Sequence, residues 1–219
     1  MTKRRQFLKL SIGGTIGLGL LLNPFLAVIK WAYAETKKII LPKGTKREEL
    51  ITKNPGELDT RYLEITDLKD FGTMGTTDHN VKLDEWRLEI TGLVKTNLFL
   101  TYNDLLAMPS VERKVLLICP GFFANHGLWK GLSMKQLFEH TAVKKDATHA
   151  IISGSDGSST KEERFPIKDI LSNKVFLAYE VNGKALPIKH GFPLRVVAED
   201  HFGDDWVKYV NKMKLEKIQ

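Results

Sequence analysis

From Trp86 onward the chain is cut into short runs by Gly, Pro and Asn-Gly, and no run is followed by a helix long enough for a repeated strand–helix–strand unit. Residues 86–91 (W-R-L-E-I-T) alternate with the period of a half-buried strand, which Gly92 ends. Residues 111–119 read as a second strand, apolar throughout at Val115-Leu116-Leu117-Ile118 and therefore expected to be buried on both faces. Further strands are expected at 150–153, 175–181, 194–198 and 212–218, with a tight turn at Asn182-Gly183. Three short helices fit between them: 101–108, with Thr101 as N-cap and Asp104 as the acid three residues on; 133–141, opened by Ser133 and Gln136; and 166–171, with Pro at its first turn. Strands outnumbering short, scattered helices predict an α+β domain with mixed β-sheets, a single domain over residues 65–219.

Composition narrows what such a domain can hold. One cysteine in 219 residues excludes a disulfide framework, a Cys-built zinc site and a Cys-ligated iron–sulfur cluster, because each needs at least two thiolates. The net charge of +7 is concentrated at the start: residues 1–34 carry five basic residues and no acid, leaving 28 basic against 26 acidic residues in the remainder. No nucleic-acid partner is expected of so nearly balanced a domain. The leader itself has a basic start, an apolar run over 10–29 and the ending Ala32-Tyr33-Ala34. Its Arg4-Arg5 pair followed by Phe7-Leu8-Lys9 resembles a twin-arginine export signal, which implies the twin-arginine translocase as a partner and a cofactor inserted before export. The expected location is the periplasmic or cell-surface side of a bacterial inner membrane, where an uncleaved leader would anchor the chain. Residues 35–64 read as a linker or surface arm.

Two groups of residues can carry chemistry. Cys119 stands at the end of the apolar strand, directly before Pro120-Gly121, so its sulfur projects from a rigid element into whatever the following loop encloses. It reads as a buried core residue, a soft-metal ligand or a nucleophile. His190, flanked by glycine, and Arg195, entering an apolar strand, can converge on one anion, Arg with a fixed fork of donors and His with another. On the loop after Cys119, His126 is a candidate proton donor, and Phe122, Phe123, Asn125 and Trp129 are expected beside it on a substrate face.

These stretches, in this order, resemble the molybdopterin-binding domain of the sulfite oxidase family, which includes the periplasmic methionine sulfoxide reductase catalytic subunit. The resemblance is carried by Thr77-Asp78-His79 before W-R-L-E-I-T-G, by Cys119 with Trp129-Lys130-Gly131, and by Ser153-Gly154-Ser155-Asp156-Gly157. Its most specific part is L-A-Y-E-V-N-G-x-x-L-P-x-x-H-G-F-P-L-R-V-V over 177–197, followed by Gly203 and Trp206-Val207-Lys208. It implies molybdenum–molybdopterin as cofactor, Cys119 as the thiolate on the metal, a role a soft sulfur ligand suits, and His79, His190, Arg195, Gly203 and Lys208 around the pterin and its phosphate. Ser155 and Asp156 match a loop bordering the pterin.

Departures from the family narrow the expectation. The Arg-rich segment that follows the cysteine in sulfite oxidases has no Arg here across residues 120–128, and Lys161-Glu162-Glu163-Arg164 replaces the stretch bearing their tyrosine, so sulfite is not the expected substrate. Thr77 stands where the family has Arg, and Asp204-Asp205 where a cation commonly helps hold the phosphate. The expected activity is two-electron oxygen-atom transfer on a small molecule, with a cytochrome or membrane haem subunit as electron partner. A non-catalytic scaffold of the same fold and a Cys119-dependent hydrolase using His126 or His190 are the alternatives.

Overall fold

The computed structural model describes residues 37–218. The export signal expected at 1–34 lies outside the described residues. Among them, no helix is long and apolar enough to cross a membrane.

Two five-stranded sheets make up most of the domain. The first is antiparallel: β5 (Ser110–Cys119) and β6 (Phe123–Leu132) form a long hairpin, β6 pairs with β9 (Val175–Val181), and β10 (Lys184–Ala185) and β11 (Arg195–Ala198) both pair with β9. The second runs β4–β3–β12–β7–β8, from β4 (Leu98–Leu100) and β3 (Leu88–Gly92) through β12 (Val210–Glu216) to β7 (His149–Ser155) and β8 (Thr160–Pro166). Its β3–β12 pair is parallel and the other pairs antiparallel, which is the mixed sheet expected. A separate parallel pair joins β1 (Ile39–Ile40) to β2 (Leu58–Asp59).

The main apolar core draws on both sheets, with Leu88, Ile90, Ile152 and Met213 from one and Val115, Trp129, Phe176 and Val197 from the other. Helices are short: α1 (Tyr102–Ala107), α2 (Met134–Thr141) and α3 (Ile167–Leu171). Thr101 and Asp104 form the full reciprocal capping box at α1. At α2 the same motif does not cap, since the Ser133 side chain accepts no hydrogen bond there.

One part differs from expectation. The segment after Cys119, expected to be a loop, forms β6 over Phe123–Leu132, whose polar and glycine positions hide its alternation. Gly131 must be glycine because a Cβ there would run into the Leu177 carbonyl. Of the two readings of 35–64, the described residues from 37 onward fit the surface arm: Leu41, Leu50, Leu58 and Leu63 are buried with Leu116, Ile118 and Ala124 on the outer face of β5–β6.

Candidate active site

A cavity of about 600 Å³ opens where the end of β5, the start of β6, the 72–76 segment, the turn after β7 and the 203–209 segment meet. Arg195, His190, Lys208, Cys119, Asp156 and Gly203 all line it. Residues far apart in sequence reach it because two glycines let backbones approach. A Cβ on Gly154 would strike the Lys208 carbonyl, and one on Gly191 would sit 3.0 Å from the Lys208 Cβ.

Asp156 and Asp204 also line the cavity, but its most deeply buried cation, Arg195, is paired with neither. Arg195 is 5% exposed, its guanidinium lying 5.2 and 5.4 Å from the Trp129 and Trp206 rings. Its Nη1 donates to the His190 carbonyl at 3.0 Å and its Nε to the Val196 carbonyl at 3.3 Å. No carboxylate among the described residues forms an ion pair with it. Burial pushes its pKa down to about 9. Lys208 donates from Nζ to the carbonyls of Thr76 (2.8 Å) and Lys189 (3.0 Å), and burial, then the neighbouring Arg195, push it down to about 8. His190 is 1% exposed and held neutral, its pKa lowered to about 3 by burial first and by Arg195, Lys189 and Lys208 after it. Its Nε2 is buried with no hydrogen-bond partner among the described residues. A buried cation and an unsatisfied ring nitrogen facing one cavity are costly unless a ligand bearing several acceptor oxygens completes them.

Cys119 borders the same cavity, half-buried at the end of β5. Burial, then the Asp204 carboxylate, push its thiol up. This is the reverse of what a free catalytic nucleophile needs, whereas coordination to a metal would fix the deprotonated form.

Other expected residues take different places. Asp156 lines the cavity, but its carboxylate is already engaged by the Thr76 hydroxyl, by the N–H groups of Ser158 (3.0 Å) and Ser159 (2.8 Å) and by the Ser158 hydroxyl (2.8 Å). The Thr76 hydroxyl leads in holding it far below the usual carboxylate range. Ser155 lies outside the lining and donates to the Ser159 carbonyl at 3.1 Å, so both residues build the turn. His79 also lies outside the lining, its ring edge-on to Tyr209 at 4.9 Å.

His126 corrects the expectation of a proton donor beside the metal. Register pairs Cys119 with Phe123 and Leu117 with Asn125 on the cavity face, whereas Leu116 pairs with His126 on the opposite face. There His126 is fully buried, its Nδ1 3.2 Å from the Glu64 carbonyl, and burial pushes its pKa down. Trp129 is likewise no substrate contact but a buried support beneath Arg195, and Phe122 is 69% exposed. With His126 on the far face and His190 held at a pKa near 3, neither histidine is suited to act as base for a Cys119 hydrolase. The sequence reading missed Thr73, Met74, Thr76 and Tyr209, which all line the cavity. Tyr209 has φ of 54°, a strained conformation for a bulky residue that aims its hydroxyl at the Thr76 carbonyl, 2.9 Å away. No residue pattern announces that strain.

Fold and lining thus define a domain with a cavity suited to an anionic ligand beside one thiol. Residues 74–219 match the family model described as the oxidoreductase molybdopterin binding domain, and the chain belongs to that family. Its cofactor is accordingly molybdenum–molybdopterin, and it is an oxidoreductase domain. Among similar chains, the uncharacterized oxidoreductase YuiH of Bacillus subtilis (strain 168) is 32% identical over 124 residues, covering 56% of this chain and 61% of that one. The NADH nitrate reductase of Volvox carteri is 27% identical over 165 residues, 62% of this chain but 19% of the relative. The solved structure of the sulfane dehydrogenase SoxCD from Paracoccus pantotrophus superposes with a TM-score of 0.59 at 25% identity, over 64% of this chain and 40% of that one. The chain therefore spans about three fifths of the first of these relatives and under a fifth of the nitrate reductase. The residues present fit the cofactor: the unpaired Arg195 and the orphaned His190 Nε2 suit its phosphate and pterin, and Cys119 is the one thiolate the sequence can supply.

Proposed function

We propose that this chain is the exported catalytic domain of a molybdenum oxidoreductase that transfers an oxygen atom to or from a small substrate and exchanges electrons with a cytochrome or membrane haem subunit. When bound, the molybdenum cofactor supplies two-electron redox chemistry at oxygen. The chain's part is to hold and surround that group. Arg195, Lys208 and His190 form the anion-binding wall, Cys119 is the metal ligand, and Asp156, Ser155 and His79 support the segments that close over the pterin. Gly203 keeps the wall thin, since a Cβ there would lie 3.1 Å from Leu117.

The carrying observation is Arg195, buried, without a carboxylate, and facing the cavity that Cys119 also borders. Fixed donors aimed at an anion in a dry site are stronger there than in water. The leader favours export, and a chain with one thiol leaves no second Cys-held centre to store electrons. The segment after Cys119 still carries no Arg to hold sulfite, so a substrate other than sulfite is favoured.

The decisive measurement is molybdenum and pterin content of protein recovered from the periplasm. About one molybdenum per chain is expected, falling at least tenfold in Arg195→Met, while Cys119→Ser retains pterin and loses activity. Parent protein free of molybdenum, or a fully active Cys119→Ser, overturns the proposal.

A further inference from the structure

The thiol of Cys119 is partly covered where it borders the cavity. Its Sγ lies 3.1 Å from the thioether sulfur of Met74, a contact in which the thiol is a weak donor and the thioether a weak acceptor. Met74 sits in the middle of a strap over residues 72–76 that is tied firmly at both ends. At one end the Asn125 side chain makes two hydrogen bonds to Gly72, accepting from its N–H at 3.0 Å and donating to its carbonyl at 2.9 Å. At the other, the Thr76 carbonyl accepts from Lys208 Nζ and from the Tyr209 hydroxyl, while the Thr76 hydroxyl donates to Asp156.

The middle is held far less. Met74 is 47% exposed, and Gly75 has φ of +73° with no atom within 4 Å of where a Cβ would be. Thr73 is tied through its hydroxyl to the Lys189 carbonyl at 3.0 Å, so freedom begins at Met74. A thioether on a flexible, unbranched side chain is suited to covering a sulfur and then moving. A ligand atom bonded to Cys119 needs the space on the thiol that Met74 touches.

We infer that Met74 controls access to Cys119: in the cofactor-free chain its thioether caps the thiol, and the Met74–Gly75 part of the strap swings aside when the metal-bearing group enters. The cap concerns the thiol itself, whereas the swing rests on the proposed role of Cys119 as metal ligand.

The chain has one cysteine, so alkylation by iodoacetamide reads Cys119 alone. In full-length protein from molybdate-starved cells, Met74→Ala is expected to react about tenfold faster than the parent. Met74→Leu, which keeps the bulk, should stay within about twofold of the parent. Rates measured from about pH 7 to pH 11, and fitted for midpoint and plateau, separate access from thiolate fraction. Loss of a cap raises the plateau at high pH, whereas a plain pKa change moves only the midpoint. Equal plateau rates in parent and Met74→Ala overturn the inference. Molybdenum-loaded parent should be protected. Rapid alkylation of the loaded form would instead count against Cys119 as the ligand, leaving the comparison in starved protein to decide the cap.

Discussion

His190 and Arg195 are five residues apart, yet their partnership depends on what encloses them. Arg195 stays charged although buried, because its guanidinium lies against two indole rings and donates to two carbonyls. His190 yields its charge instead, with a pKa near 3 against an ordinary 6.5. The unfolded chain therefore takes up a proton as pH falls below about 6.5, while the native chain takes none until about 3. The contribution to stability present above 6.5 is lost progressively toward pH 3, by at most about 5 kcal/mol. In cofactor-free protein, His190→Gln should remove this part of the acid sensitivity. Urea midpoints compared at about pH 4 and pH 7 should fall more steeply for the parent than for the variant; parallel losses would show that His190 is not the group responsible. The H-G-F-P-L-R spacing made both residues legible as candidates for one site, and both line one cavity. The orientation of His126 was not legible, because a one-residue shift in hairpin register reverses which face a side chain occupies.

At the scale of elements, the two capping motifs make a paired test. Thr101 accepts from the Asp104 N–H at 3.1 Å and Asp104 returns a bond to the Thr101 N–H at 2.8 Å. Thr101→Ala should cost about 1 kcal/mol in urea denaturation, and Ser133→Ala less than about 0.5, since Ser133 makes no capping bond. Equal costs would contradict the observed difference. Both motifs look alike in sequence, and tertiary placement of the helix entry separates them. Strand β6 shows the same limit from the other side. Its Asn, His and Gly residues are poor strand formers in isolation, yet β5 pairs with it along its whole length and β9 with its Trp129, Lys130 and Gly131.

For the molecule as a whole, the arm is the element whose packing the sequence left open between linker and surface arm. It covers Leu116 and Ile118 with four buried leucines, and its Ile51 carbonyl accepts from the Gly121 N–H at 2.9 Å, two residues beyond Cys119. A chain beginning at residue 65 should therefore aggregate or melt at least about 5 °C below one beginning at residue 37, as read by gel filtration and thermal melting. Identical behaviour would show the arm to be dispensable. By itself the sequence determined the class of fold, most strand positions and the residues suited to a soft metal and an anion, because periodicity, turn residues and side-chain chemistry are local properties. Which of those residues share a cavity, that Met74 lies on the Cys119 sulfur, and that His126 faces away were decided only by tertiary structure. Strand register, close backbone approach at glycine and burial are relations between distant segments, and no single segment encodes them.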